Sequence, residues 1–273
     1  MIINFSVTNF GSIKEQQTLS FEADSSKHLE DFYIIESNGL RLLKLGLIYG
    51  ANASGKTTLL KALDFLNDLV RNPEEKKIDE LGFEPFLFDP DTPKENSILS
   101  IEFLQQNTRY FYEVEFSKKA IVREELNFYQ PNKANVFKRD TNLKDQLTTI
   151  TFGSKIKKNK TAGKVLEANT LWNNTVLGGF LKTNIDLPEL KGATDWFDSY
   201  LAPLIYTQSD LRAFIVDQIH EAAISKIDVL SILKRADFNV SDILIKREEV
   251  AFPEAFLDVL EQNKINEQKL NAI

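Results

Sequence analysis

The sequence has no cysteine. That excludes disulfides and thiolate-bound metal, and it fits a reducing cytoplasm. Histidine is nearly absent: His28 and His220 are the only two, too few for a histidine-based zinc site. No apolar run reaches the length needed to cross a bilayer, so a membrane role is not expected. The first ten residues, "MIINFSVTNF", lack both the basic n-region and the long apolar h-region of a secretory signal. Excess basic charge is missing as well. The formal net charge of -7 argues against coating a nucleic-acid backbone with the whole surface, which leaves only a local patch open. No internal repeat of fixed period is visible.

What is present supports a folded core. A chain of 273 residues, 42% hydrophobic, can form one large domain or one domain with an inserted lobe. Ile3, Phe5 and Val7 alternate with polar residues, which predicts a half-buried strand over 2–8. "NFGS" reads as a turn and "QTLSFEA" as a second strand, with Leu19 and Phe21 on one face. Residues 24–40 are polar and mixed. "LLKLGLIY" is a dense apolar run of the kind expected for a strand buried on both faces. Leu59, Leu63, Leu66 and Val70 then recur at helical spacing, and Pro73 closes that helix. Two alternating runs, Leu99–Phe103 and Tyr110–Phe116, flank the tight turn "QQN" and predict an antiparallel meander over about 97–153. "GSKIKKNKTAGK" reads as a solvated mobile loop, without the interleaved aromatics that base stacking needs. From Leu187 to about Arg235 the spacing is helical: Trp196, Tyr200 and Leu201 fit one helix, and Leu211, Phe214, Ile215 and Ile219 another. "FNVSDILIKREEV" is a possible returning strand, and Pro253 suits the first turn of a last helix. The expected divisions are 1–160, a core with the β-lobe; 161–250, a mainly helical lobe; and 251–273, the start of a further helical segment.

Gly50 to Thr57, "GANASGKT", matches G-x-x-x-x-G-K-[ST] in full, with an apolar run before it and an amphipathic helix after it. Each position has a physical task. Gly50 is expected to leave the strand in a conformation closed to residues with a Cβ. Small residues at 51, 53 and 54 let backbone N–H groups approach phosphates, assisted by the positive end of the next helix. Lys56 is expected to reach the β- and γ-phosphates, and the Thr57 hydroxyl to bind Mg²⁺. The expected cofactor-binding set is Gly50, Ala51, Asn52, Ala53, Ser54, Gly55, Lys56, Thr57 and Thr58, with Mg-ATP as the cofactor. A GTPase reading fails, because "NKAN", "NKTA" and "NKIN" all lack the aspartate of the base-reading N-K-x-D; "DELG" (79–82) mimics D-x-x-G by chance in a loop.

"IINFSVTNFGSIKEQQTLSFEA" followed by "GLIYGANASGKTTLLKAL" resembles the ABC-type ATPase heads of the Rad50, SMC and RecF kind. More closely it resembles the AAA15 family, related to OLD-family proteins, through the "NFGSIK" turn, Asn52, and the phrase "PFLFDPDTPKENSILSIEF…RYFYEVEF". The resemblance implies an α/β P-loop NTPase of ABC-ATPase type, with an antiparallel β-lobe, an inserted helical lobe, and a central strand ending at Tyr49 parallel to its neighbours. It also implies that the Asn9–Lys14 turn sits near base and ribose. Hydrolysis would take place in a homodimer or higher oligomer, in phage defence or DNA repair, beside a nuclease-type effector. Such heads carry a Walker B Asp-Glu and an L-S-G-G signature near the C-terminus of longer chains. This sequence ends at "NEQKLNAI", about where that half would begin, and is read as an N-terminal portion. Asp217 in "AFIVDQIHE" is followed by Gln218 and sits at helical spacing; Glu221 lies on the same stretch. "TVLGGF" lacks the signature serine and reads as a turn. Gln105 and Gln208 are weak candidates for a Mg²⁺-binding glutamine, each more simply a surface polar residue. The alternative to an ATPase is a non-hydrolysing nucleotide-binding scaffold that holds a partner.

Overall fold

The computed structural model describes residues 1–156 and 160–245. The chain divides into two compact units, 1–204 and 205–273. In the first unit, β1 (Ile2–Thr8) and β2 (Gln17–Ser20) precede a short helix α1 (Glu30–Tyr33) and a hairpin of β3 (Ile34–Ser37) and β4 (Leu40–Leu43). Helix α2 (Lys56–Arg71) follows. Next come β5 (Ser97–Gln105), β6 (Thr108–Phe116), β7 (Ile121–Tyr129), β8 (Lys133–Asn142) and β9 (Leu147–Phe152). Helices α3 (Lys160–Asn169), α4 (Val176–Leu181) and α5 (Pro188–Ser199) complete the unit.

The main sheet has seven strands in the order β2-β1-β5-β6-β7-β8-β9. Every strand pairing among the described residues is antiparallel. Strand β1 behaves as its alternation predicts, with Ile3, Phe5 and Val7 fully buried. Helix α2 packs against β1, α4 and α5, and α5 also meets β5. Between sheet and helices lies an aromatic core. Phe103 stacks on Trp196 at 4.1 Å, and Phe65 of α2 meets Phe10, Phe83 and Phe116 at 5.4–5.5 Å.

Four expectations change in this unit. The apolar run before the phosphate loop is not a buried central strand. Only Leu40–Leu43 pairs, while residues 45–50 carry no strand pairing, and Leu47 and Tyr49 are 67% and 85% exposed. The parallel strand expected there would need parallel neighbours reached by crossovers, whereas the described strands pair antiparallel with one another. "TVLGGF" is not a turn: it is α4, capped by Thr175, whose Oγ1 accepts from the Gly178 N–H at 3.0 Å. "GSKIKKNKTAGK" is not a loop throughout, since its last residues begin α3. Tyr200 does not join Trp196 on a buried face; it lies exposed just past the end of α5.

In the second unit, α6 (Arg212–His220) and α7 (Lys226–Arg235) are helical, and α6 buries none of its residues. Ser225 caps α7, and Lys226 pairs with Asp242 at 2.7 Å. Residues 238–245 carry no strand, and the rest of the expected strand lies outside the described residues, as does the helix expected from Pro253.

Candidate nucleotide-binding site

The site begins at the first turn of α2. Its first N–H groups have no partner within the helix, because hydrogen bonding inside it starts with Leu59 N–H to Gly55 O at 3.0 Å. Gly55 caps the helix at φ 89, a left-handed conformation that suits glycine. The loop in front is tight: Ser54 N–H donates to Ala51 O at 3.3 Å. Gly50 is needed for space rather than for backbone angle. It is not among the positive-φ residues, yet an added Cβ would meet Ser54 Oγ at 2.7 Å. Lys56 folds its Nζ onto the loop, donating to Gly50 O at 2.9 Å and Ala51 O at 2.6 Å. That places a full positive charge among the loop's backbone groups, where phosphate oxygens would replace the carbonyls.

Thr57 and Thr58 differ in their commitments. Thr57 is exposed. Thr58 Oγ1 is 2.8 Å from Ser12 Oγ, in the N-terminal turn. That turn is braced from behind. Asn9, buried at φ 52, donates from Nδ2 to Thr92 O at 2.9 Å and Glu95 O at 3.0 Å, and its Oδ1 accepts from Phe86 N–H at 2.9 Å. Lys14 donates to Asp89 at 2.8 Å; this bond holds the ammonium above its ordinary range and the carboxyl well below its own. Between turn and loop lies a cleft of about 340 Å³, large enough for a small ligand. Ser12, Lys14, Glu15 and Gln17 form one wall; Ser54, Gly55 and Lys56 form the other, with Ile48 and Tyr49 at the side.

The phosphate loop Gly50–Thr58 and the Asn9–Lys14 turn are therefore neighbours, although more than 35 residues separate them in sequence. Gln105 is a poor candidate. It is buried at the far end of β5, eight residues or roughly 27 Å of strand from Ser97, which bonds the turn at Asn9 O. Gln208, Asp217, Gln218 and Glu221 belong to the second unit, with Asp217 and Gln218 inside α6. "DELG" is a structural turn: Asp79 Oδ2 accepts from Lys76 N–H at 2.9 Å, and its carbonyl accepts from Asn173 Nδ2 at 3.0 Å. Glu15 and Gln17 were not singled out from sequence. Their only local signal is alternation with Leu19, which marks a strand face and no site. Among the described residues, no group of three or more His, Cys, Asp or Glu could hold a metal. A Mg²⁺ held by the residues described here would rest on Thr57, phosphate oxygens and water, a donor set that suits it.

Ala53 carries strain at this loop. Its φ of 63 is left-handed, which a Cβ disfavours by about 1–2 kcal/mol. Ala53→Gly is therefore expected to stabilise the chain by roughly 0.5–1 kcal/mol after glycine's added unfolded-state entropy. Thermal unfolding should show a rise of about 1–4 °C; a fall would mean that the Ala53 methyl makes a compensating contact.

A protein-family profile described as "AAA domain, putative AbiEii toxin, Type IV TA system" matches residues 47–237. No curated protein matches the chain.

Proposed function

The chain belongs to that AAA-domain family, and from this premise we propose that it is an ATP-binding head of the AAA15/ABC type, hydrolysing ATP when assembled as a dimer. The domain is a P-loop ATPase domain of α/β class, and such domains bind ATP, usually with Mg²⁺. The observation that carries the finer reading is the cleft joining the phosphate loop to the N-terminal turn. In this reading the loop N–H groups and the start of α2 receive the phosphates, Lys56 neutralises the β- and γ-phosphate charge, and Thr57 faces the metal. The turn side of the cleft receives base and ribose. A role in phage defence or DNA repair, beside a nuclease-type effector, extends the same reading by resemblance. Among the described residues no helix is long and apolar enough to cross a membrane.

The test is calorimetric titration with Mg-ATP and Mg-GTP, followed by phosphate release across a range of protein concentrations. The reading expects ATP to bind, little phosphate release by the chain alone because no Walker B Asp-Glu or signature is legible in it, and any release per chain to rise with concentration, as a dimeric site requires. Turnover per chain independent of concentration would sink the dimer clause. No ATP binding refutes both this reading and the scaffold alternative.

A further inference from the structure

We propose that Ser12 and Thr58 form a clasp that sets the position of the cleft's nucleoside wall, with the Thr58 hydroxyl acting through Ser12 rather than on a phosphate. The proposal rests on the ATP reading above and assigns positioning residues within it. The two hydroxyls lie 2.8 Å apart and join the N-terminal turn directly to the first turn of α2. The backbone around them is shaped for this approach. Gly11 sits at φ +54, and a Cβ there would meet Thr58 Cγ2 at 2.8 Å. A Cβ on Gly55 would meet Ser12 Oγ at 3.4 Å. Gly11 thus lets turn and helix close to hydroxyl distance, whereas a Cβ at Gly55 would make only ordinary contact with Ser12. Gly11 N–H donates to Glu84 O at 2.7 Å, so the turn is held from its other side too. Lys14, Glu15 and Gln17 continue from the clasp along the cleft wall. Moving the clasp moves that wall relative to the phosphate loop, while the loop's N–H groups and Lys56 stay on α2. Thr57, adjacent and exposed, is the hydroxyl left to face the metal.

The clasp predicts a split between nucleoside and phosphate affinity. The full chain and its Ser12→Ala, Ser12→Thr, Thr58→Val and Ser12→Ala/Thr58→Val variants are titrated with Mg-ATP and with Mg-tripolyphosphate. Tripolyphosphate affinity is expected to stay within about two-fold of the parent in Ser12→Ala and Ser12→Thr, and to fall by less than ATP affinity in the two variants that change Thr58. ATP affinity is expected to fall about three- to ten-fold in Ser12→Ala and in Thr58→Val, the size of one hydrogen bond. The double variant should fall no further than the singles, and Ser12→Thr should restore the parent value. A loss of tripolyphosphate affinity in Thr58→Val that matches its ATP loss would overturn the proposal, because the hydroxyl would then act on phosphate. Unchanged ATP affinity in Ser12→Ala would overturn it as well. A parent chain that binds neither ligand would refute the ATP reading itself, and the clasp with it.

Discussion

Lys56→Ala is expected to weaken Mg-ATP binding by about 100-fold, roughly 3 kcal/mol. The magnitude follows from what the side chain replaces. Its Nζ lies against Gly50 O and Ala51 O, in a loop whose remaining contributions to phosphate are backbone dipoles. A charge-assisted bond to phosphate is worth about 1.5–3 kcal/mol, and this lysine is expected to serve two phosphate groups. The fold should survive, since the bonds Nζ makes are local to the loop and exposed. Lys61→Ala is the control. Lys61 is exposed on the same helix beyond its first turn, so removing it tests general charge attraction alone. Calorimetry should show an effect within about two-fold for Lys61→Ala, because an exposed charge away from the ligand is screened. Equal losses for the two variants would mean that Lys56 acts only through net charge and the phosphate assignment fails. Lys56→Arg should not rescue fully, because a planar fork does not replace a compact ammonium in a tight loop.

The parts of the site legible in the sequence are those with local physics. A phosphate loop is seven or eight consecutive residues whose sizes and order carry the function, so "GANASGKT" could be read directly. Strand β1 was legible because one buried face leaves a period of two. The run Leu42–Tyr49 shows the limit. Its composition is that of a buried strand, yet burial depends on what lies on either side, and that is not written in the run itself. The glycines of α4 are ambiguous in sequence for another reason. Gly179 permits packing: an added Cβ would meet Thr170 Oγ1 at 2.2 Å, while Gly178 faces Pro73 Cβ at 3.1 Å. Two glycines chosen for close helix contact look the same in sequence as two chosen for a turn. Asn38–Gly39 was a stronger signal than the polar stretch around it suggested. Both residues take positive φ, 52 and 74, as a tight type I′ hairpin between β3 and β4 requires. The cleft's second wall was invisible to spacing, because Ser12 meets Thr58 across 46 residues.

Glu124→Ala is expected to destabilise the chain by about 3–5 kcal/mol. Glu124 on β7 and Arg139 on β8 are directly opposite across the strands and fully buried, with Oε2 and Nη1 3.9 Å apart. That distance permits attraction but no hydrogen bond. Glu124 instead accepts from Tyr112 Oη at 2.7 Å and from Val176 N–H at 2.7 and 3.0 Å. Arg139 donates from Nη2 to Thr148 Oγ1 at 3.1 Å and Trp172 O at 3.0 Å, while its Nε and Nη1 have no hydrogen-bond partner. Burial raises the Glu124 carboxyl and pushes the Arg139 guanidinium down to about 10; the opposite charge of each works against both shifts. At neutral pH the arginine therefore stays charged. Truncating Glu124 leaves that charge buried and uncompensated, and strips the Tyr112 hydroxyl and the Val176 N–H of their acceptor. Removing both charges is a different case. Glu124→Gln/Arg139→Met keeps an acceptor for Val176 and takes away the buried cation, so most of the loss should return. Urea unfolding of the three proteins decides the matter; equal losses in Glu124→Ala and the double variant would show that the ion pair is not the cause. The consequence reaches the site through α4. Val176 opens that helix, and the preceding Thr175 donates to Leu69 O of α2 at 3.0 Å. A ligand that binds only the folded state stabilises it by about 2.7 kcal/mol at 100 times Kd. Mg-ATP is therefore expected to return much of the stability that Glu124→Ala loses. Failure to do so, with ATP still binding the parent, would mean that loosening α4 disorders the start of α2 as well.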